Sequence, residues 1–363
     1  MLASAPPLNA QAPAPTATVS LTPAAAPATP PPIKIGNATL SINARARVEN
    51  WNWFETPGFD DNYTFGALLL RAGLSRQKPK LDWQFEIAQP SLVNLPDNAL
   101  AAGALGHGAN YFAANRRRND AGIFVKQAFV RFKGPGGSNA DSVRLGRFEF
   151  NEGMETAPKD ATLAWLKNQR ITARLLNTFA FTHVQRSFDG LHYIHNTPTT
   201  NVTAVAARLT EGVFQVDGNG QVNTEVLYGA LTKPLASGEG RLFALHYMDD
   251  RNVPKTGNTA TTGDVKVTTL GAHYLRTFPM GAGKGDLLLW GPINWATGGR
   301  STTRGTRWLS KPVISRTARN SSRGCALATS AQRATRTRRM ATTRRSSRTP
   351  IRRASMRASR SIT

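Results

Sequence analysis

Between positions 38 and 49 apolar and polar residues alternate with hardly a break. Leu40, Ile42, Ala44, Ala46 and Val48 fall on one side and Ser41, Asn43, Arg45, Arg47 and Glu49 on the other, and the aromatic cluster Trp51, Trp53 and Phe54 follows. A strand patterned this way has one face in an apolar phase and one in water. Leu81, Trp83, Phe85 and Ile87 repeat the pattern against Asp82, Gln84 and Glu86, and further alternating stretches lie at 64–74, 123–132, 142–150, 200–209, 223–232, 241–248 and 265–276. Typical lengths of about nine to eleven residues are long for a soluble strand and right for a tilted crossing of a hydrocarbon layer. Two places resist a single phase. Lys126 shares the phase of Phe124, Ala128, Val130 and Phe132, and the phase of Val143 and Leu145 breaks at Gly146, where a bulge is expected.

Turn chemistry predicts an antiparallel meander. Pro135-Gly-Gly-Ser-Asn139, Asp217-Gly-Asn-Gly220 and Ala236-Ser-Gly-Glu-Gly240 read as short connections, while 89–122 and 151–165 are long ones. Short turns at one end and long loops at the other are typical of outer-membrane barrels. No run of about 18 apolar residues exists, so an ordinary spanning helix is excluded and a membrane protein here has to be a barrel. The competing fold is a soluble β-sandwich or β-helix, whose inner faces would carry denser Val/Ile/Leu packing than these Ala- and Gly-containing stripes. The expected class is therefore all-β, an antiparallel transmembrane β-barrel of the outer membrane, incomplete as written.

Charge divides the chain into unlike parts. The last acidic residue is Asp286, and 300–363 then carries 17 arginines and one lysine, +18 of the formal +24, leaving residues 1–290 with 28 basic and 22 acidic side chains. A basic tail suggests nucleic acid through counterion release. Its sole aromatic is Trp308, however, and it has no helical or strand period to set arginines along a groove, so no specific nucleic acid is expected. The composition changes abruptly after Trp290 and Gly291, inside a strand-like segment that begins at Asp286. A slip of the reading frame near 291 accounts for this. At one constant offset of two bases, codons can be chosen for 307–317, 320–330 and 341–348 that spell strand-like segments. Whether the frame slips or the tail is natural, the written 291–363 is expected to be disordered, having too little apolar surface to offset ordering entropy.

Residues 1–12 end in Ala10-Gln11-Ala12, a small-x-small cleavage pattern without a basic start or a full apolar run. They are read as the remnant of a signal peptide or as a leader. Residues 13–32 form an Ala/Pro/Thr linker, and ordered structure is expected from Ile33. The sole cysteine, Cys325, lies in the tail, which agrees with export without proving it.

The segments Phe124-Val-Lys-Gln-Ala-Phe-Val-Arg-Phe132 and Leu145-Gly-Arg-Phe-Glu-Phe150, with Gly153 and Glu155, then Arg170-Ile171, Arg174-Leu175 and Arg186-Ser-Phe-Asp-Gly190, resemble the alginate-export family of bacterial outer-membrane β-barrels. The resemblance covers 33–290. It implies a monomeric barrel in outer-membrane lipid, with an arginine-lined path for an anionic polysaccharide or a related uronate-type solute. Beyond Trp290 the family pattern is lost, which puts barrel closure in doubt, because unpaired strand edges facing lipid are costly.

On this reading Arg45 and Arg47 point into the lumen. Arg170 and Arg174, four apart, share one face in strand or helix. With Arg147 and Arg186 they would form a rung for carboxylates through the guanidinium fork, with Glu149 and Asp189 as supporting acids. The bland reading of Arg147, Arg170 and Arg174 is an internal salt-bridge lattice; for Arg186 it is a simple pair with Asp189. Arg116-Arg-Arg118 falls in a long loop as a solvated face.

Catalytic signals are sparse. His183, His192, His195, His246 and His273 show no metal spacing, Ser187 lacks a nucleophile elbow, and Gly281-Ala-Gly-Lys-Gly285 does not match a phosphate loop. Glu149, Glu152 and Glu155 lie together as carboxylates for glycoside cleavage would, but nothing raises one above another. A passive conduit is expected, not an enzyme, with no cofactor or metal. The alternatives are a secreted or periplasmic β-rich protein that binds or cleaves carbohydrate, and a nucleic-acid binder acting through the tail.

Overall fold

The computed structural model describes residues 32–52, 54–100, 106–253, 262–281 and 283–298. The leader, nearly all of the linker, Trp53, and the tail from 299 onward lie outside the described residues. Thirteen strands form one sheet: β1 (Lys34–Ile35), β2 (Ala38–Asn52), β3 (Asn62–Gln77), β4 (Leu81–Val93), β5 (Asp120–Ala121), β6 (Phe124–Lys133), β7 (Asp141–Phe148), β8 (Phe188–Asn196), β9 (Asn201–Thr210), β10 (Gln221–Leu235), β11 (Gly238–Asp249), β12 (Val265–Met280) and β13 (Gly283–Gly298). Neighbours in sequence are neighbours in space and every strand pairing is antiparallel, except that the short β5 lies off the path on β4. Among the described residues no pairing joins β13 back to β1 or β2, so the sheet has two open edges.

Connections alternate in length along the meander. Those at 36–37, 78–80, 134–140, 197–200, 236–237 and 281–282 are short, and those at 53–61, 94–123, 149–187, 211–220 and 250–264 are long. The Asp217-Gly-Asn-Gly220 motif, expected in a short connection, belongs to the 211–220 segment at the long-loop end. The loop expected at 151–165 extends to 187 and contains helix α2 (Ala161–Arg170), while α1 (His107–Asn115) sits in the 94–123 connection. Asp160 caps α2 by accepting from the Leu163 N–H, and Lys167 and Arg170 occupy its last turn, where cations complement the helix dipole.

Several strands exceed the expected length: β2 and β10 have 15 residues, and β3, β12 and β13 have 16. β13 continues through Gly298, past the change of composition at 291. β8, absent from the alternating stretches of the sequence, is a full member of the sheet.

The two faces of the sheet differ as the alternation requires. Leu81, Phe132, Val143, Tyr193, Ala204, Gly229, Ala244, Leu270 and Ile293 are successive cross-strand partners from β4 to β13, an unbroken row without a charge. Ile42, Leu70, Phe85, Leu145, Leu231 and Leu242 are exposed on the same face. The opposite face buries Glu86, Lys126, Glu239, Arg241 and Asp286 beside Phe148, Phe188 and Val226, with Arg71 half-buried among them. The 149–187 connection packs on this second face at both ends of the sheet. Arg45 of β2 donates to carbonyls of Ala180 and Thr182, while Leu166 and Ile171 pack with Leu275 and Leu288 of β12 and β13. One segment touching both extremes of one face requires the sheet to curl around it.

The two phase conflicts resolve differently. The pairing of β4 with β6 shifts between Glu86 and Ile87, so both Lys126 and Gln127 are buried and Val130 and Phe132 emerge on the apolar outside. At Gly146 the expected bulge is absent. Its register is regular, φ is +119°, and a Cβ would stand 2.3 Å from the Ala128 carbonyl oxygen, a close approach that glycine alone allows.

Candidate functional site: the inward face and its plug

The 149–187 connection is fastened to the inward wall by three ionic clusters. In the first, Arg241 of β11 reaches Glu152 at 2.7 Å and Glu155 at 2.9 Å, all three side chains fully buried, and the Tyr228 hydroxyl donates to Glu155 at 2.5 Å. Two carboxylates grouped in the sequence therefore share one distant guanidinium, an arrangement that fixes the plug and ties both acids into a structural cluster. In the second, Lys167 on α2 meets Glu239 at 2.8 Å, Glu239 meets His273 at 2.9 Å, and Arg170 meets Asp286 at 2.7 Å. In the third, Arg71 bridges Glu86 at 2.6 Å and Glu149 at 3.1 Å, and Lys126 adds a bond to Glu149 at 3.3 Å. Burial would raise the Glu149 carboxyl, but the charges of Lys126 and Arg71 outweigh it and hold the group below the ordinary carboxylate range.

A fourth contact ties the two helix-bearing connections, 94–123 and 149–187, to β2. Glu49 accepts from His183 at 3.0 Å and lies 3.4 Å from His107 at the start of α1, while the His183 backbone N–H donates to the Tyr111 hydroxyl at 2.8 Å. Burial pushes the Tyr111 phenol up to about 12, so it stays neutral and can serve as this acceptor.

The residues expected to line the bore fall into different places. Arg45 and Arg47 face inward, and both donate to backbone carbonyls of 180–182, Arg47 to Phe181 at 3.2 Å. Arg170 is ion-paired with Asp286. Arg174 is exposed, its guanidinium lying over the Trp290 ring at 4.8 Å, and donates to the Arg170 carbonyl. Arg186 stacks on Phe179 at 4.5 Å and donates to the Asn177 carbonyl at 3.2 Å. Burial lowers its guanidinium to about 10, so it is still a cation at neutral pH. Its predicted pairing with Asp189 does not occur.

Arg147 and Asp189 require a correction. They are direct cross-strand partners with bonds of 2.7 and 2.8 Å, and each is two residues from an exposed leucine, Leu145 or Leu191, in an unshifted register. The pleat therefore directs both to the outer face. Arg147 also donates to carbonyls of Val125, Gly218 and Asn219, and Asp189 accepts from Gln221, so the pair clamps the 211–220 connection over the rim. Arg208 and Glu225 extend this row as a second ion pair.

Sequence reasoning passed over Arg71, Lys126, Arg241 and Lys167. For Arg71 and Arg241 the available signal was a cation at a position the strand phase assigns to the buried face, in β3 and β11; Lys126 showed only as a phase conflict, and Lys167 lies on a helix. Among the described residues no group of three His, Cys, Asp or Glu side chains could hold a metal ion, and no helix is long and apolar enough to cross a membrane.

No family model matches the chain, and no curated protein matches it. Among solved structures it is similar to OprB of Pseudomonas putida in a high-pH structure, at 14% identity and a TM-score of 0.37, over 72% of this chain and 74% of that one. It is also similar to OccD3 (OpdP) of Pseudomonas aeruginosa, at 13% identity and a TM-score of 0.32, over 73% of this chain and 57% of that one. Likeness at this level carries no functional argument, and the functional reading rests on the chain's own two faces.

Proposed function

We propose that this chain forms most of the wall and the internal constriction of an outer-membrane diffusion channel, taking an anionic polysaccharide or a related uronate-type solute along an arginine-bearing inner face. The observation that supports it best is the uncharged cross-strand row from Leu81 to Ile293 on one side of a sheet whose other side is packed with ion pairs. A soluble protein would have to leave that row in water. Long and short connections gathered at opposite ends agree with a wall crossing a bilayer. The conduit is read as monomeric and as doing no chemistry on its solute.

The open edge belongs to the same proposal. β13 is described through Gly298, and the arginine-rich run begins at Arg300. A slipped frame that replaces the closing strands would account for the edge left open among the described residues, and resequencing the codons for 290–300 tests it directly. An intact frame in the gene would remove that explanation.

Anion preference follows from the inward cations that have no carboxylate partner among the described residues, Arg174 above all. In a chain carrying the restored C-terminal frame, Arg174→Ala is expected to lower the chloride-to-potassium permeability ratio in a planar bilayer. Arg170→Ala is expected to lower it as well, because it removes a cation from the plug face. Unchanged selectivity in both variants would retire these two residues as parts of the path.

A further inference from the structure

The unmatched charges at the two ends of the sheet differ in sign. At the end of the short connections Lys34, Arg76, Lys78, Lys80, Lys233 and Arg276 have no acid within ion-pair distance among the described residues, and all but the half-buried Arg76 are exposed. The acids near this rim are engaged by other groups: Asp82 by Lys133 at 2.7 Å, Asp141 by His195 at 2.7 Å and Tyr193 at 2.8 Å, and Asp160 by Lys284 at 2.9 Å. At the end of the long connections most cations are paired, Arg117 with Asp120 at 3.5 Å, Arg118 with Asp97 at 3.2 Å, Arg147 with Asp189 at 2.7 Å and Arg251 with Asp249 at 2.7 Å. There the surplus is acidic. Glu55, Asp60, Asp61, Asp250 and Asp264 have no cation within ion-pair distance among the described residues.

Three of the unmatched cations leave the side of the wall rather than its turns. Lys233 lies two residues from Leu231 and two from Leu235, both exposed on the apolar face, and so shares that face. Arg276 keeps the phase of Leu270 and Arg76 that of Leu70, through pairings of β12 with β13 and of β3 with β4 that show no register shift. Leu235, Gly238 and Arg276 are successive cross-strand partners, which puts Lys233 and Arg276 in one patch on neighbouring rows. Trp83 stands opposite Arg76, and the exposed Phe278 follows Arg276 on the same face. Depth agrees with a headgroup level. Lys266 and Arg276 bound the outward face of β12, and the stretch between them is about 33 Å long at about 3.3 Å per residue. A tilt of about 40° reduces it to about 25 Å, the height of the apolar band of a barrel wall. A basic side chain at that border lays its stem on apolar surface and holds its charge among the phosphates, beside interfacial aromatic rings.

We propose that the outer side of the short-turn rim, through Arg76, Lys233 and Arg276, is a docking surface for the anionic headgroups of phospholipids in the leaflet that the short turns face. Short turns face the periplasm in outer-membrane barrels, so the partner is an acidic phospholipid of the periplasmic leaflet. A lipid fits better than a soluble polyanion, which would approach the turns from water and leave Leu235 and Phe278 uncovered beside the charges. The surplus acids of the opposite rim repel the same headgroups, so the preference belongs to one end and helps to set which end faces which leaflet. This surface rests on the conduit reading in one respect, that the apolar face meets lipid.

Lipid quenching tests the surface in the full-length chain with Cys325→Ser, reconstituted in vesicles of mixed phosphatidylglycerol and phosphatidylcholine. A bimane fluorophore is attached through Leu235→Cys at the short-turn rim or Met248→Cys at the long-loop rim, and one of the two lipids at a time carries brominated acyl chains. At 235, brominated phosphatidylglycerol should quench at a mole fraction about tenfold or more below that needed for brominated phosphatidylcholine. At 248 no such preference is expected. Lys233→Gln and Arg276→Gln should each reduce the preference at 235 by about fivefold, and the double variant should abolish it. Lys233→Arg with Arg276→Lys keeps both charges and should keep the preference, which separates loss of charge from loss of fold. Equal quenching by the two lipids at 235, the same preference at both rims, or a preference that survives the double Gln variant would overturn the docking surface and leave the wall intact. Absence of quenching by either lipid at both positions would overturn the surface together with the wall, so the two failures are distinct.

Discussion

Arg241→Ala is expected to destabilise the folded protein in micelles by about 3–5 kcal/mol, the range for breaking a buried ion pair from one side. The substitution strands two fully buried carboxylates, Glu152 and Glu155, that have this guanidinium as their shared counter-charge. It also removes the cation lying 5.0 Å from the Phe243 ring centroid. Urea unfolding followed by tryptophan fluorescence measures the loss. The triple variant Arg241→Met, Glu152→Gln, Glu155→Gln should recover much of it, because the penalty comes from uncompensated charge rather than from the absent pair. A loss below about 1 kcal/mol for Arg241→Ala would mean that water reaches the cluster and that the 149–187 connection is not anchored there.

The second large effect is expected on the opposite face. Leu270 is 45% exposed and lies between Lys266 and Arg276, the outward charges of β12, which places it in the middle of the apolar belt. Leu270→Arg should cost about 2–4 kcal/mol in a bilayer, the range for a cation near the midplane of a lipid-facing barrel wall. Met248→Arg, on the rim row of Glu225 and Lys266, should cost about 1 kcal/mol or less. In a water-exposed sheet both changes would fall within about 0.5 kcal/mol of neutral. Unfolding from lipid vesicles into urea distinguishes the two cases by the difference between positions, which a purely local packing effect would not reproduce.

The strands were legible because alternation is local. Leu40 through Glu49 carries its own evidence of a two-faced strand, and the pleat keeps that assignment through the pairing of β2 with β3. What depends on a partner strand was not legible. Lys126 could be placed inside, with Val130 outside, only by the register shift opposite Glu86 and Ile87, a property of two strands together. Arg147 was assigned to the bore by its motif, whereas its phase with Leu145, unbroken because Gly146 keeps the ladder regular, sends it outward. The long strands went unrecognised because their ends leave the apolar belt and lose the alternation that marks its crossing.

The plug was the least visible part. Residues 149–187 show no strand period, and the bonds that hold them join Glu152 to Arg241 and Lys167 to Glu239 across the whole sheet. No sequence spacing encodes such pairs. A better reading would have noted that β3 and β11 each put a cation on the face their neighbours bury, since such charges are expected to find partners.

Nitroxide scanning along 226–231 of β10, in lipid vesicles and with Cys325 replaced by serine, tests the two-faced wall most directly. Positions 227, 229 and 231 should be accessible to oxygen dissolved in the bilayer and shielded from a water-soluble relaxation agent, while 226, 228 and 230 should be shielded from both by the plug and core. A lipid-facing strand gives this period of two. Uniform access to the water-soluble agent, or no rise in oxygen access at 227, 229 and 231, would contradict a membrane-spanning wall.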